Sequence, residues 1–158
     1  MFELTKILIA ALNDAGLAAR GEMANTAVCR PGEPVCTVAI ASSDVTDTAF
    51  GQYLGTLEHP EHGPLPLFGR RFRAEAKLTL FAPGSTGQSD ALTQQALDAL
   101  LTLQGLRIGE VRLEQLRWDD EAEAYSRTLT VQLQGMLYCL QLDEGETFTD
   151  FTLVPTII

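Results

Sequence analysis

The sequence predicts an α+β fold, a mostly antiparallel sheet with two helices, and three stretches carry that expectation. Along the first, Tyr125, Arg127, Leu129, Val131, Leu133, Gly135 and Leu137 fall on one side, while Ser126, Thr128, Thr130, Gln132 and Gln134 fall on the other. Such strict alternation is the period-two pattern of a half-buried strand. The second stretch, Leu106 to Trp118, reads as another strand, and the polar link Asp119-Asp120-Glu121-Ala122-Glu123 makes the two an antiparallel hairpin. Helical spacing is the third observation. Phe2, Leu4, Ile7, Leu8, Ala11 and Leu12 form one apolar stripe, and Leu92, Ala96, Ala99, Leu100 and Leu103 form another, widened by Leu97 and Leu101.

The first helix is expected over residues 2–15, stopped by Asn13, Asp14 and Gly16, with glycine suited to a left-handed C-terminal position. Residues 17–29 and 35–42 flank the turn Arg30-Pro31-Gly32-Glu33-Pro34 and are expected to pair as a first hairpin. Residues 43–66 read as a long irregular connection of functional use, polar at 43–47, open to an extended segment at 50–57, and dense in proline, glycine and histidine at 58–66. From 67 to 81, Phe68, Phe72, Ala74, Ala76, Leu78 and Leu80 oppose Arg71, Arg73, Glu75, Lys77 and Thr79, a strand with one wet face closed by Ala82-Pro83-Gly84. Ser89 and Asp90 mark the expected start of the second helix, and Gly105 its end. In the strand after it the apolar phase changes from Val111 and Leu113 to Leu116 and Trp118, so a bulge is expected near Glu114-Gln115. The order is therefore helix, hairpin, long loop, strand, helix, long hairpin. Residues 1–142 form one domain in this reading, and 143–158 an extended C-terminal arm or edge strand, since Pro155 suits an edge.

Composition narrows the function. The formal charge is −10, from 21 acidic and 11 basic residues, which repels phosphate backbones and argues against specific nucleic-acid binding. No apolar run of about 18 residues suggests a membrane span, and the acid-and-lysine-bearing first residues do not resemble a secretory leader. Cys29, Cys36 and Cys139 are odd in number and lack CxxC spacing, which fits a reduced compartment with buried cysteines acting as small hydrophobes. Cys29 and Cys36 flank the Pro-Gly turn, so a disulfide between them is the minor alternative.

Candidate chemistry is sparse. His59, Glu61 and His62 are the only cluster of metal-ligand types, but Pro60 forbids the helical i, i+4 display of paired ligands, and an exposed loop is the simpler reading. The acids at 119–123 lack the order of a calcium loop. Gly84-Ser85-Thr86-Gly87 precedes a helix without the lysine of a phosphate loop. No nucleophile motif accompanies the two histidines, so no catalytic residue, metal or cofactor is assigned and the chain is read as no enzyme. Arg70, Arg71 and Arg73 form the one basic cluster; Arg71 and Arg73 share a strand face with Lys77, for which a solvated face is the simpler reading and an acidic neighbour in another molecule the alternative. The apolar tail, with Phe148, Phe151, Leu153 and Val154, needs a cover.

This order of elements resembles the tail-terminator or tail-completion (neck) proteins of tailed phages and prophages. The features that carry the resemblance are the helix at 2–12, the strand at 68–81 ending in Ala82-Pro83-Gly84, the helix at 89–103, and the run YSRTLTVQLQGMLY at 125–138, with its aromatic start and its glycine before an apolar end. It spans residues 1–142, and the tail from Asp143 departs from the simplest pattern. The resemblance implies a structural, non-enzymatic protein that forms a homo-oligomeric ring at the tail–head junction and contacts tail-tube or neck proteins. It further implies a cytoplasmic location during assembly and the virion tail thereafter. Loop 43–66, Arg71, Arg73 and the tail residues are then the expected subunit contacts. The alternative expectation is a bacterial cytosolic α+β domain that binds a ligand or partner on the Ser126–Gln134 polar row.

Overall fold

A computed structural model describes residues 2–22, 31–47 and 52–140 of the protein. The elements in chain order are α1 (Phe2–Asp14), β1 (Ala19–Gly21), β2 (Val35–Asp47), β3 (Tyr53–His59), β4 (Gly63–Ala82), α2 (Thr86–Leu101), β5 (Arg107–Leu113), β6 (Arg117–Asp119) and β7 (Ala124–Leu140). The strands form one sheet in the order β1-β2-β4-β7-β5, with β3 added to β4 and β6 added to β7. This is the expected α+β class with a mostly antiparallel sheet. The chain divides into two compact units, the first comprising Met1–Ser42, Ala74–Leu103 and Ile108–Leu133, the second Ser43–Arg73, Gln104–Arg107 and Gln134–Ile158.

In the first unit, α1 buries Leu4, Leu8 and Leu12 and packs on α2 and β1. Its C-terminus is closed by two bonds, from Gly16 N–H to Asn13 O (2.9 Å) and from Leu17 N–H to Leu12 O (3.0 Å). Gly16 has φ 87°, and Leu12 and Leu17 are both buried. This is the Schellman arrangement, which satisfies the last carbonyls of the helix and needs a residue that accepts positive φ. The Asn13 side chain then accepts from Ala19 N–H at 2.9 Å, tying the helix end to β1.

The expected hairpin of 17–29 with 35–42 is not what forms. β1 pairs with β2 in parallel, with Ala19 opposite Cys36 and Gly21 opposite Val38. A hairpin requires the residues just before the turn to pair with those just after it; here the paired residues lie well before Pro31 and run the same way. Turn composition marks where a chain bends and carries no information on the direction in which it returns to the sheet.

α2 also starts earlier than expected. Ser85, in extended conformation (φ −162°), is the N-cap and accepts from Gln88 N–H at 3.2 Å. The Gln88 side chain reaches back to accept from Gly84 N–H at 2.8 Å. This reciprocal Ser-x-x-Gln exchange satisfies two donors at the helix start and explains why Ser85, not Ser89, begins the helix. Leu92, Ala96, Ala99 and Leu100 are buried as the apolar stripe requires, whereas Leu101 is 78% exposed and does not widen it.

The core of this unit lies between the helices and the sheet. Ala76, Leu78, Leu80 and Ala82 of β4 and Leu129, Val131 and Leu133 of β7 are fully buried, each set at alternate positions. The expected bulge falls at 114–116, between β5 and β6. Glu114 N–H donates to Thr128 O at 2.9 Å, and Arg117 is opposite Ser126, so three steps on one strand match two on the other. One extra residue is thereby inserted, which shifts the side-chain phase as the change from Leu113 to Leu116 requires.

The second unit contains the region read as an irregular loop. Residues 43–47 extend β2, and 53–68 form a β-hairpin arm in which His59 faces Gly63, Leu57 faces Leu65 and Tyr53 faces Phe68. Two prolines, Pro64 and Pro66, sit in that ladder opposite Glu58 and Thr56. They are two residues apart, so their missing donors fall on the same edge of β4. The ladder holds because these are the positions whose N–H groups would point away from β3. Among the predicted contact residues, Phe148, Phe151, Leu153 and Val154 lie outside the described residues.

Candidate interaction surface

Among the described residues of the second unit, those of the arm dominate the exposed apolar side chains. Tyr53, Leu54 and Leu57 on β3 are 50%, 37% and 47% exposed, and Val45 on β2 is 49% exposed. A bulge between Tyr53 and Gly55 splits these between faces. Tyr53 stacks edge-on against Phe68 with ring centroids 5.7 Å apart, and its hydroxyl lies 3.2 Å from that of Thr56. Leu54 instead covers Gly69, and Leu57 sits opposite Leu65, so apolar groups occupy both faces of a two-stranded hairpin.

Arg71 and Arg73 are exposed and flank the buried Phe72, so alternation puts them on the face away from its ring. Their spacing on one strand face is as the sequence predicted. The Arg71 carbonyl accepts from the Thr46 hydroxyl at 3.4 Å, which ties β2 to β4 beside the basic cluster.

The polar row of β7 is more occupied than alternation alone implies. Ser126 is buried, Thr128, Thr130 and Gln134 are half-buried, and only Gln132 is exposed. Thr128 and Thr79 hydroxyls lie 3.5 Å apart across β7 and β4. Nearby, Arg112 makes a two-pronged contact with Glu110 at 2.8 and 3.1 Å. The hydrogen bond, and then the charge, of Arg112 holds the Glu110 carboxyl below the usual carboxylate range and raises Arg112 in return. Both side chains are more than half exposed (69% and 53%), so solvent screens the pair and it adds little to stability.

The remaining sequence candidates find local explanations. His59 and His62 come together at the arm's turn with ring centroids 5.0 Å apart, and Glu61 N–H donates to His59 Nδ1 at 3.2 Å. One imidazole nitrogen is thus already used by the backbone, and among the described residues no group of three His, Cys, Asp or Glu side chains could hold a metal ion. The Asp119 carboxylate accepts from the N–H groups of Glu121 and Ala122, both at 3.0 Å, which fixes the turn between β6 and β7. The residues at 84–88 are engaged in capping α2, as described above.

No protein-family model matches the chain, and no curated protein matches it.

Two buried polar atoms escaped sequence reasoning. Arg127 was assigned to the apolar phase of β7, and it does turn toward α2. Its Nη1 lies 3.4 Å from Asp90 Oδ1 and 3.3 Å from Thr93 Oγ1, while its Nε is buried without a partner. Ser89, fully buried on α2, has a hydroxyl that is likewise without a partner. A buried unpaired hydroxyl is costly, whereas alanine at this helical position has no polar group to desolvate and a better helix propensity. Ser89→Ala is therefore expected to stabilise the fold by about 1 kcal/mol, read as a higher denaturant midpoint at unchanged m-value; a lower midpoint would show that the hydroxyl is bonded in solution.

Cys36 follows the expectation of a reduced, buried cysteine. It is a free, fully buried thiol on β2 whose hydrogen is directed to the Thr37 carbonyl at 3.8 Å, so no disulfide joins it to Cys29, a residue outside those described. Burial pushes the thiol up to about 12. A raised pKa means that the fold binds the proton more tightly than the unfolded chain does. The associated stability is complete below the ordinary thiol value and falls as pH rises from there toward about 12, at up to about 1.4 kcal/mol per pH unit. In a chain carrying Cys29→Ser and Cys139→Ser, Cys36 is expected to resist a thiol reagent at pH 8 until denaturant is added. Immediate stoichiometric labelling of the folded chain would refute the burial argument.

Proposed function

We propose that this chain is a structural, non-enzymatic assembly protein, similar in role to a tail-terminator or tail-completion protein of a phage or prophage. It oligomerises into a ring and contacts tube or neck components at a tail–head junction. The observation that carries this reading is the β3–β4 arm, a hairpin with exposed apolar side chains on both faces. Such an arm gains stability by inserting between subunits, because a single neighbouring layer can cover only one of its faces. The net charge of −10 supports a ring through which DNA passes without adhering. The polar row of β7 is partly bonded within the sheet, which leaves the alternative of a ligand-binding domain without an observation of its own.

Light scattering and negative-stain imaging across a concentration series test the proposal. Closed rings are expected to grow in with concentration or on addition of a phage tail-tube protein. Tyr53→Glu with Leu57→Glu, which place charge on either face of the arm, are expected to abolish them while leaving thermal unfolding of the monomer unchanged. A strict monomer that neither closes into rings nor binds tube protein overturns the reading.

A further inference from the structure

We propose that the sheet face carrying Arg71, Arg73 and Arg107 is one half of a head-to-tail contact between copies of this chain, the other half being an acidic surface of the next copy. The proposal deepens the assembly reading above and rests on it.

The three arginines share a face of the second unit although Arg107 is distant in sequence. A Cβ built on Gly135 of β7 would lie 2.8 Å from Phe72 Cζ and 3.2 Å from Leu106 Cδ2, so Phe72, Gly135 and Leu106 lie on one side of the sheet. Their neighbours Arg71, Arg73, Gln134 and Arg107 are then on the other. A second approach agrees. A Cβ built on Gly109 of β5 would lie 3.4 Å from Gln132 Cβ, and Arg107 and Gln134 are each two residues from that pair on their own strands. Because β7 runs between β4 and β5, Gln134 is flanked by the arginines of one strand and that of the other. Strand geometry sets Arg71 and Arg73 about 7 Å apart and Arg107 about 10 Å across from them. All three arginines are exposed, and Gln134 is half-buried.

Charge sets this face apart. Arg112, Arg117 and Arg127 each have a carboxylate partner, Glu110 at 2.8 Å, Glu114 at 3.4 Å and Asp90 at 3.4 Å. Among the described residues Arg71, Arg73 and Arg107 form no such pair, not even with Glu75, the next acid on that face of β4. Guanidinium groups gathered in this way repel one another and together attract an anionic surface laid over them.

The net charge argues for what covers them. Each copy carries −10, from 21 acidic and 11 basic residues. Two copies therefore repel unless their contact sets positive charge on one against negative charge on the other. The arginine face supplies the positive half, and the excess of acids supplies the negative half on the same molecule. A two-fold contact of this face with itself would set arginines against arginines. The complementary arrangement is heterologous, each arginine face meeting a different surface of the next copy, and such contacts close into a ring when the rotation between neighbours allows. Arginine suits the role because its planar fork holds a carboxylate by two parallel bonds.

The test is native mass spectrometry of the full chain with a nitrogen-15 variant carrying Arg71→Glu, Arg73→Glu and Arg107→Glu. Alone, the variant is expected to stay monomeric where the wild type forms oligomers. Mixed with unlabelled wild type, it is expected at one copy per open oligomer and in no closed ring, because it lacks the arginine half of the contact and keeps the acidic half. A control of equal net charge, Lys6→Glu with Arg112→Glu and Arg117→Glu, is expected to assemble like the wild type. Unchanged thermal unfolding of both variants keeps the result from being a folding defect. Phenylglyoxal is expected to modify the three arginines in the wild-type monomer and at least tenfold less in the oligomer. Two or more variant copies in one oligomer, an equal loss in the control, or arginines already protected in the monomer, as a cover from the same chain would make them, each overturn the proposal. Closed rings of the arginine variant would overturn the contact and leave the assembly reading standing, whereas open wild-type chains that admit one variant copy and never close would do the reverse. A wild type that is monomeric at every concentration overturns both.

Discussion

Leu129→Ala is expected to lower the unfolding free energy by about 3–5 kcal/mol. Leu129 has no exposed surface, and it lies on β7 with Val131 and Leu133, also fully buried, at the next alternate positions. Arg127, on the same phase, touches Asp90 and Thr93, which places this side of β7 against α2. Truncation removes the transfer free energy of the leucine methyl groups. It also leaves a void that a sheet strand, held by ladder bonds on both edges, cannot close by moving inward. At roughly 2–4 °C per kcal/mol for a chain of this size, the melting temperature should fall by about 10 °C. Leu101→Ala is the control. It removes the same atoms from a side chain that is 78% exposed, so its effect should stay within about 0.5 kcal/mol. Equal losses at the two positions would mean that this face of β7 does not hold the core.

The two leucines also show how far the sequence could be read. Period-two alternation identified Leu129, Val131 and Leu133 and their partners on β4 because a sheet buried on one face leaves that imprint directly. The α1 stripe and its glycine stop were legible for the same reason. Leu101 was misassigned because a helical stripe of five or six apolar residues does not state where its edge lies; the neighbours that cover the face decide that. The parallel pairing of β1 to β2 left no local trace, since three residues carry no periodicity and direction is a property of the whole path. Residues 43–66 read as irregular because proline and glycine signal turns, although the possible extended segment at 50–57 overlaps β3. Yet Pro64 and Pro66 are compatible with a ladder when both occupy positions that need no donor toward β3. The same misreading hid the arm. Its leucines and tyrosine count as ordinary apolar residues until a hairpin exposes them on both faces. Arg71 and Arg73 were placed correctly on one strand face, because alternation fixes the face even where it cannot fix the partner.

Gly135→Ala is expected to cost about 1–3 kcal/mol, the usual range for overpacking, and Gly135→Val more. A Cβ built on Gly135 would lie 2.8 Å from Phe72 Cζ and 3.2 Å from Leu106 Cδ2. The ring of Phe72, itself buried, therefore rests directly on the β7 backbone. A glycine inside a strand weakens the strand, but an aromatic ring laid over it from the neighbouring strand restores the lost packing. This makes Gly135 a packing requirement of Phe72 and not a site of backbone freedom, as its ordinary φ also indicates. If so, the two positions must couple. Phe72→Leu alone loses ring contacts, but in the presence of Gly135→Ala it removes the clash, so the double variant should be more stable than the sum of the single losses by roughly 0.5–3 kcal/mol. A double-mutant cycle measured by denaturant unfolding reads that difference. Strict additivity would mean that the ring does not occupy the glycine. The glycine before the apolar end of β7 contributed to the likeness with phage tail proteins at the level of sequence; the cycle would give that residue a physical reason that holds whatever the protein assembles into.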